Sequence, residues 1–405
     1  MSLTKIGIIK EGKIPVDKRV PLTPQQAKLI NDAYDNVEVV VQSSDIRCYT
    51  DQEYVKAGVK VVEDVNDCDV LMGVKEVPIA SLLANKTYFF FSHTVKKQPY
   101  NRELLQTILA KQIRLIDYEL LTSTDGARLV AFGRYAGIVG AYNGIWTYGK
   151  RYNLFDLRRA KDTFDLQDLT TEYSKVKLPY TRIVVTGGGR VAKGAIEVLN
   201  GMNIRQVSPG EYLNERFNEP VFTQLNSRNY NKQIDGNNFD RQEFFEHPER
   251  YTGDFIKYAQ HTDLLIAAAY WAPNAPVLFK REDVLDESFA IKVVADITCD
   301  IEGSIPSTKQ PSTIEEPIYD YNPSNDVVER PLKEEGNITV MAVDNLPCEL
   351  PRDASTDFGT ELVNNVLPSL LGNDAEGVIH RATVTNAGQL TEAFSYLDGF
   401  AKGLE

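Results

Sequence analysis

Ionisable side chains follow three apolar runs in the first third of the sequence. They are Lys75 and Glu76 after DVLMGV, His93 after TYFFFS, and Asp117 and Glu119 in RLIDYE. Short apolar runs bounded by turn residues predict strands buried on both faces, as in a parallel sheet, whose strand ends share one edge. Ligands of open α/β sheets bind outside that edge. We therefore expect Lys75 and His93 to face one cleft, together with Arg19 from the loop after the first strand.

A lysine and a histidine in one cleft form a workable acid and base pair. Their reference pKa values are about 10.4 and 6.5, and burial lowers that of a lysine. Imine chemistry needs such proton transfers. Lys75 and His93 are therefore predicted to shuttle protons, whereas the remaining histidines lie in polar or loop surroundings and are expected at the surface: His247, His261 and His380.

A glycine-rich turn follows a strand-like run in RIVVTGGGRVAKGA. Gly187, Gly189 and Ala192 have the G-x-G-x-x-A spacing of a dinucleotide-binding turn between a strand and a helix. The first glycine permits the tight turn, the second lets backbone approach a pyrophosphate, and Ala192 allows close helix packing. A glycine turn without a ligand is the alternative, but the flanking strand and helix favour a nicotinamide cofactor. The predicted cofactor-binding residues are Gly187, Gly188, Gly189, Arg190, Val191 and Ala192.

The sequence leaves the choice between NAD and NADP open. The next predicted strand, 204–207, should end in an acid if the ribose hydroxyls of NAD are bound in the usual way. It ends instead at Ser208. Glu211 could replace the acid, whereas Ser208, with help from Arg205, could accept the 2′-phosphate of NADP. Ser208 is thus a candidate cofactor contact that favours NADP.

Two series of apolar runs predict an α/β fold with two doubly wound, parallel-sheet, Rossmann-like domains and an interdomain cleft. The first series is 6–9, 37–41, 59–62, 70–74, 88–91 and 113–116, and the second is 183–186, 204–207, 264–268, 291–295 and 338–342. We expect a substrate-binding domain over residues 1–134, to which 345–405 returns, and a dinucleotide-binding domain over 135–344.

Helices are predicted between and after these runs. Thr23 can cap the first helix, with Pro24 in its first position and Gln26 completing a capping box. Further helices are expected over 135–150, 353–371 and 386–402. The polar, asparagine-rich segment 209–252 is too long for an ordinary connection and is interpreted as an insertion. A surface excursion is the simpler reading, and a lid or subunit contact is the alternative.

Composition excludes several classes of function. The formal net charge is −13 and the pI about 5.0, which disfavours nucleic acid and anionic membrane surfaces as partners. The four cysteines form no CxxC pair, so no metal site or disulfide framework is expected. No apolar run approaches the ~20 residues of a membrane span, and no signal core follows the first residue. We expect a cytoplasmic enzyme of small-molecule substrates, and assembly into a homo-oligomer stays open.

Several longer segments resemble a known superfamily. KEGKIPVDKRVPLTP, GVKEVP, SHTVKKQPYN and RLVAFGRYAG are similar to alanine dehydrogenase, transhydrogenase and saccharopine dehydrogenase. HPERYTGDFIKYAQHTDLLIAAAYW, VVADITCDIEGSIPST, TIEEPIYDY and AVDNLPCELPRDAS resemble the lysine-ketoglutarate reductase domain of the bifunctional lysine-degrading enzyme and, more weakly, lysine-forming saccharopine dehydrogenase. The resemblance covers nearly the whole chain.

This resemblance implies an activity and a set of roles. The family condenses L-lysine with 2-oxoglutarate and reduces the imine with NADH or NADPH to saccharopine, or runs the reverse. Lys75 and His93 match its acid and base residues, and Glu76 and Glu119 match acidic residues that tune Lys75. The remaining matches are Arg19 and Arg128, which would hold substrate carboxylates, Phe132, which would line the same cleft, and Asp344, which would lie near the nicotinamide.

Two other functions remain open from the sequence. An amino-acid dehydrogenase of the alanine type shares the pattern of Lys75, His93 and Arg19, although it should lack AVDNLPCELPRDAS. A non-catalytic dinucleotide-binding subunit, like the soluble part of transhydrogenase, is the second alternative. Hydride transfer by the isolated chain separates an enzyme from a pure binding module.

Overall fold

The computed structural model describes residues 3–404 and divides into two compact units. The first unit contains residues 3–132 together with 351–404, and the second unit is Gly133–Leu350. Each is built on its own mixed, mainly parallel sheet. The α/β fold class predicted from the two series of apolar runs is confirmed.

The amino-terminal part of the first unit contributes six parallel strands, in the spatial order β6-β5-β4-β1-β2-β3. These are β1 (Thr4–Ile8), β2 (Val37–Gln42), β3 (Lys60–Val62), β4 (Val70–Met72), β5 (Thr87–Phe90) and β6 (Arg114–Asp117), with helices α1 (Pro24–Ala33), α2 (Asp51–Lys56) and α3 (Arg102–Ala110). The central strands are buried because helices cover the sheet. Helix α1 begins as predicted, since the Thr23 hydroxyl accepts from the Gln26 amide and the Gln26 side chain accepts from the Thr23 amide.

The second unit has eight strands in its sheet and a separate two-stranded hairpin. Its elements are α4 (Gly133–Tyr152), α5 (Leu166–Thr170), β7 (Arg182–Thr186), α6 (Arg190–Gly201), β8 (Arg205–Val207), α7 (Pro209–Asn214), β9 (Val221–Leu225), α8 (Ser227–Tyr230), β10 (Asn231–Gln233), α9 (Arg241–Glu246), β11 (Tyr251–Gly253), α10 (Ile256–Ala259), β12 (Leu264–Ala267), α11 (Arg281–Val284), β13 (Val293–Asp296), β14 (Ile318–Asn322), β15 (Val327–Glu329) and β16 (Ile338–Met341). The sheet order is β15-β14-β16-β13-β12-β7-β9-β8, parallel from β16 to β8, with β14 and β15 antiparallel at one edge.

Glycines allow helices α4 and α6 to touch backbone to backbone. A Cβ built on Gly137 would lie 1.9 Å from the carbonyl oxygen of Val191, and one on Gly194 would lie 2.0 Å from that of Arg134. No side chain fits at either position. The glycines of the Tyr135–Lys150 segment therefore serve close helix packing, which fixes the start of α6.

The chain then completes the first unit with α12 (Pro351–Asn365), α13 (Leu367–Leu371), α14 (Val378–Ala382), β17 (Thr383–Asn386), β18 (Gln389–Leu390) and α15 (Asp398–Ala401). The helix predicted over 386–402 is wrong in its first half. β17 pairs antiparallel with β6, and a turn with positive φ at Ala387 and Gly388 leads into β18. The residues that lead into this segment, Thr383, Val384 and Thr385, are β-branched and therefore favour a strand over a helix.

The position of the strand 204–207 in the second sheet also differs from expectation. β8 does not pair with β7. β9 lies between them and pairs in parallel with both. β9 belongs to the segment 209–252 that the sequence indicated as an insertion outside the sheet, so this interpretation needs correction. The residues of VFTQL are mostly buried, but the polar residues on both sides of this segment kept the sequence pattern from indicating a strand.

Among the helices formed by residues 3–404, none combines the length and the apolar character needed to cross a bilayer.

Candidate active site and cofactor-binding turn

The first sheet changes its direction of growth between β1 and β4. From β1 the chain proceeds to β2 and β3 on one side, and β4, β5 and β6 fill the other side. Such a switch point leaves a crevice at the carboxyl ends of the strands, where ligands of α/β sheets bind. The loops that follow β1 and β4 meet at this point and carry Arg19, Lys75 and Glu76 of the predicted site residues.

Glu11 joins these two loops. Its carboxylate oxygens accept hydrogen bonds from the backbone amides of Val74 at 2.6 Å and Lys75 at 3.0 Å. Burial, reinforced by the negative charge of Asp17, raises the pKa of Glu11 to about 7. Sequence reasoning did not select Glu11, although its place in KEGK directly after the first strand was an available signal. Its role here is to fix the backbone of Lys75.

Glu76 holds His93 and Lys13. Its Oε1 lies 2.7 Å from Nδ1 of His93, and its Oε2 lies 2.6 Å from Nζ of Lys13. Burial alone would raise the pKa of Glu76, but the hydrogen bonds from His93 and Lys13 lower it to about 2. An ionised carboxylate only accepts hydrogen bonds, so Nδ1 of His93 must donate. Nε2 of His93 is then the ring atom that can take or release a proton.

Lys75 is half-buried at the end of β4, beside β5 and its His93 turn. Within residues 3–404, its ammonium group makes no hydrogen bond or ion pair. Its backbone is nevertheless fixed through Glu11. A positioned backbone with an uncommitted ammonium is the arrangement expected of a group that exchanges a proton with a substrate.

Arg19 is buried in an ion pair with Asp17. The guanidinium donates from Nε at 3.0 Å and from Nη2 at 2.6 Å to the two carboxylate oxygens. Its guanidinium carbon also lies 4.1 Å from the centre of the Phe132 ring, and the ring of Phe358 stacks on Phe132 with 4.4 Å between centroids. Phe91 contacts the rings of both His93 and Phe132, at 6.5 and 6.1 Å between centroids. The structure thus brings Arg19, Phe132 and His93 around one aromatic cluster.

Glu119 and Arg128 form a second charged group in the first unit. Oε1 of Glu119 lies 3.4 Å from Nη2 of Arg128, and its Oε2 lies 3.2 Å from Nζ of Lys96. Asp117 fixes this region, because its carboxylate accepts from the amide and hydroxyl of Ser92 and from the Glu119 amide. Burial raises the pKa of Asp117. The structure gives no direct contact from Glu119 to Lys75 within the described residues.

The glycine turn of the second unit has the local geometry of a phosphate-binding turn. Gly187 has φ of +95°, and a Cβ there would lie 2.9 Å from the carbonyl oxygen of Ala268. A Cβ on Gly189 would meet no atom within 4 Å, so space is open in front of this residue. Arg190 and Val191 begin α6, and Ala192 is fully buried behind the turn. The turn lies between β7 and β12, at the switch point of the second sheet, and therefore fits a dinucleotide pyrophosphate.

Ser208 does not stand where the ribose prediction requires. It follows β8, the outermost strand, and caps α7 by accepting from the Glu211 amide while Glu211 binds the Ser208 amide. Between β8 and β7 lies β9, which is followed by Asn226. The Asn226 side chain touches the glycine turn, since its Oδ1 would lie 2.7 Å from a Cβ on Gly188. Asn226 was missed because β9 was not predicted.

Asp344 lies after β16, on the same edge of the second sheet as the glycine turn. It is exposed, and its charge adds to the effect of burial in raising the pKa of Cys299 to about 12. Asp296, at the end of β13, is buried and accepts from Thr298 and Thr308. Over the described part of the chain, no cluster of three histidine, cysteine, aspartate or glutamate side chains could hold a metal ion.

Comparisons with known proteins agree with this architecture. The alanine dehydrogenase/PNT family models match over residues 7–139 for the N-terminal domain and 166–393 for the C-terminal domain. The chain is 31% identical over 440 residues to the mitochondrial alpha-aminoadipic semialdehyde synthase of Mus musculus, covering 96% of this chain and 47% of that protein. It is 26% identical over 386 residues to the saccharopine dehydrogenase (NAD(+), L-lysine-forming) of Yarrowia lipolytica, covering 91% of each.

The chain therefore spans about half the length of the semialdehyde synthases that it matches. Among solved structures, an L-alanine dehydrogenase aligns with a TM-score of 0.66 and 18% identity, covering 99% of this chain and 100% of that one. A transhydrogenase from Sinorhizobium meliloti aligns with a TM-score of 0.59 and 17% identity, covering 96% and 98%. These structural likenesses concern the fold.

Proposed function

Because the chain belongs to the alanine dehydrogenase/PNT family, we propose that it is an NAD(P)-dependent oxidoreductase of the saccharopine type. It joins the ε-amine of L-lysine to the C2 carbonyl of 2-oxoglutarate and reduces the resulting imine, or runs the reverse reaction. The observation that carries this proposal is the arrangement of Lys75, Glu76 and His93 in a chain whose curated relatives are named for saccharopine and aminoadipic semialdehyde chemistry.

In this proposal His93 is the base. Its Nδ1 is held by an ionised Glu76, so Nε2 takes the proton that the substrate ammonium must lose before its nitrogen can attack a carbonyl. Lys13, on the other oxygen of Glu76, keeps that carboxylate charged and fixed. Glu76 thereby positions the histidine ring through a charge-assisted hydrogen bond.

Lys75 is the acid. When the amine attacks, the carbonyl oxygen gains an electron pair and needs a proton, which the Lys75 ammonium supplies. Neutral Lys75 then takes a proton from the carbinolamine nitrogen, and protonated His93 donates its proton to the hydroxyl, which leaves as water and gives the protonated imine. Glu11 keeps Lys75 in place through its backbone amide, at 3.0 Å. Positioned acids and bases of this kind typically contribute 10²- to 10⁴-fold in rate.

Arg128 is assigned to a substrate carboxylate. It is exposed to solvent beside Glu119, so its guanidinium is accessible to a substrate carboxylate. Arg19, by contrast, is buried against Asp17, and we assign it to holding Phe132 in the cleft wall. This division revises the equal roles that the sequence resemblance implied for the two arginines.

The second unit supplies the cofactor site in this proposal. The residues from Gly187 to Ala192 would hold the pyrophosphate, with Asp344 on the same sheet edge. A bound nicotinamide dinucleotide supplies the hydride that reduces the imine carbon. The positive φ at Gly187 and the open space at Gly189 are the features that fit it.

A substrate panel tests the proposed function. NADPH and NADH oxidation is followed with L-lysine plus 2-oxoglutarate and, separately, with ammonia plus pyruvate. We expect kcat/KM to be at least tenfold higher for the first pair, because a site that pairs an extra carboxylate loses roughly 1.5–3 kcal/mol with the smaller substrate. Faster turnover of pyruvate and ammonia would instead assign the chain to the alanine type.

A further inference from the structure

A cavity of about 410 Å³ opens at one side of the first sheet. Its walls come from the turn after β6, from helix α14 and from the turn after β18. The residues that line it are Glu119, Leu120, Thr122, His380, Arg381, Thr391, Glu392 and Ala393. Sites for small molecules typically measure about 300–1,000 Å³, so this cavity is large enough to hold one.

The cavity is separate from the crevice that contains Lys75 and His93. Those residues follow β4 and β5, whereas the cavity lies beside β6 and β17, further along the sheet. Neighbouring strands lie about 4.8 Å apart, so two strand spacings put the end of β6 roughly 10 Å from the end of β4. Of the predicted site residues, Glu119 alone also lines this cavity.

Arg381 brings to this cavity a positive charge that no carboxylate neutralises. Its Nη2 donates to the carbonyl oxygen of Thr122 at 2.6 Å, its Nη1 to that of Glu376 at 2.6 Å, and its Nε to the Thr122 hydroxyl at 3.4 Å. These acceptors are neutral, and within residues 3–404 the guanidinium forms no ion pair. Each Nη atom carries a second N–H. The side chain is therefore held in place with charge and donors left for an anion.

Acidic side chains supply the opposite charge. Glu392 is exposed, and its carboxylate makes no hydrogen bond or ion pair in the described part of the chain. Glu119 is half-buried and pairs with Lys96 and Arg128. The cavity thus combines a cation on α14 with carboxylates from two turns, which is the charge pattern that a zwitterion requires.

We propose that this cavity binds a free α-amino acid. The carboxylate of the ligand accepts from Arg381, and its ammonium donates to Glu392 and Glu119. Leu120 and Ala393 give its side chain apolar surface. Two glutamates would repel a dicarboxylate or a phosphate, and a simple amine would leave Arg381 without an anion. This site goes beyond the proposed reaction and needs neither the cofactor nor hydride transfer.

Histidine signals report occupancy directly, because the chain has four histidines and one of them, His380, lines the cavity. The protein is labelled with ¹³C at histidine Cε1, the NMR signals are assigned with His380→Gln and His93→Gln, and L-norleucine is added. This amino acid lacks an ε-amine and cannot form the imine. We expect the His380 signal to shift to saturation. Hexanoate and pentylamine, which each lack one of the two charges, should bind at least tenfold more weakly.

Variants of the cavity test the assigned contacts. Arg381→Gln should weaken L-norleucine by roughly tenfold or more, and Glu392→Gln, at an exposed position without a partner to lose, by about threefold or more. Arg102→Gln is the matched control. Nε of Arg102 donates to the carbonyl oxygen of Phe400 at 3.0 Å, and this half-buried side chain lies outside the cavity. The control should change the affinity by less than about twofold.

Several results would overturn the proposal. Absence of a saturable shift at His380, including movement of the His93 signal alone, would leave the cavity without this ligand. Equal affinity for hexanoate and L-norleucine would show an anion site in which the glutamates take no part. Equal losses in Arg102→Gln and Arg381→Gln would show a general effect of charge. None of these results depends on turnover, so failure of the lysine assay would leave this test intact.

Discussion

Substitution of alanine for two glycines in the same turn should separate folding from cofactor binding. Gly187 has a φ of +95°, which alanine adopts only with strain, and its new Cβ would stand 2.9 Å from a carbonyl oxygen and 3.0 Å from a Cα. Both are backbone atoms that cannot rotate away. Strained backbone costs about 1–3 kcal/mol by itself, and the overlap adds to it. We expect Gly187→Ala to lower the unfolding midpoint by several degrees and to abolish tight dinucleotide binding.

Gly189→Ala should behave differently. The φ of Gly189 is −83°, and its new Cβ would meet no atom within 4 Å. The thermal unfolding midpoint should therefore stay within about 1–2 °C of the parent, because surface substitutions without such strain usually cost less than about 0.5 kcal/mol. The same methyl group would occupy the space that the pyrophosphate needs. Loss of a single charge-assisted hydrogen bond, about 1.5–3 kcal/mol, weakens binding by roughly 10- to 150-fold.

Calorimetric unfolding and a fluorescence titration with NADPH measure the two quantities on the same samples. A dissociation constant for Gly189→Ala within about twofold of the parent, in a fully folded protein, would refute the placement of the pyrophosphate at this turn. Loss of folding in Gly189→Ala would refute the reasoning about open space. Unchanged stability in Gly187→Ala would contradict the packing argument.

Three further predictions concern the first unit. Lys75→Met and His93→Gln should each lower turnover by about 10²- to 10⁴-fold and leave NADPH affinity unchanged in a fluorescence titration; near-parental rates in both would remove them from the mechanism. Arg128→Ala should raise the KM for 2-oxoglutarate by tenfold or more with little change in NADPH affinity, and equal effects on both would contradict its assignment to a substrate carboxylate. In the folded protein the pKa of Glu11 is raised from its ordinary value of 4.5 to about 7. Between these two pH values the folded protein keeps a proton that the unfolded chain has released. The resulting stabilisation is present at low pH and is lost as the pH rises to about 7. The free energy of unfolding, measured with urea, should fall on the order of 3 kcal/mol between pH 5 and pH 8, and this fall should be absent in Glu11→Gln. An identical pH dependence in both proteins would show that Glu11 is not the group responsible.

The predicted parallel strands were recognisable because buried strands of an α/β sheet are continuous apolar runs. The run at 183–186, the glycines and the apolar pattern after them predicted β7 and α6 on either side of the turn from local pattern alone. Strand β9 was not recognisable, because VFTQL has two adjacent polar residues and stands among asparagines and charges. Its place beside β7 depends on pairing between distant segments, which local pattern does not encode. The error at Ser208 followed directly from this omission.

The candidate site shows the same division. Residues at strand ends, such as Lys75 and His93, were accessible from sequence because the sheet edge collects them. Glu11 contacts Lys75, and Lys13 contacts Glu76, although each pair is more than sixty positions apart in the sequence. These contacts form only once β1 and β4 are adjacent. The pairing of Arg19 with Asp17 was close in sequence, yet nothing in the pattern indicated that both would be buried.

Identification of the product tests the central claim most directly. The purified chain is incubated with NADPH, 2-oxoglutarate and L-lysine labelled with ¹⁵N at the ε-nitrogen, and the products are analysed by mass spectrometry. We expect saccharopine that retains the label, formed in proportion to the NADPH consumed and absent with Lys75→Met. Consumption of NADPH without labelled saccharopine, or equal consumption when lysine is replaced by ammonia, would contradict it.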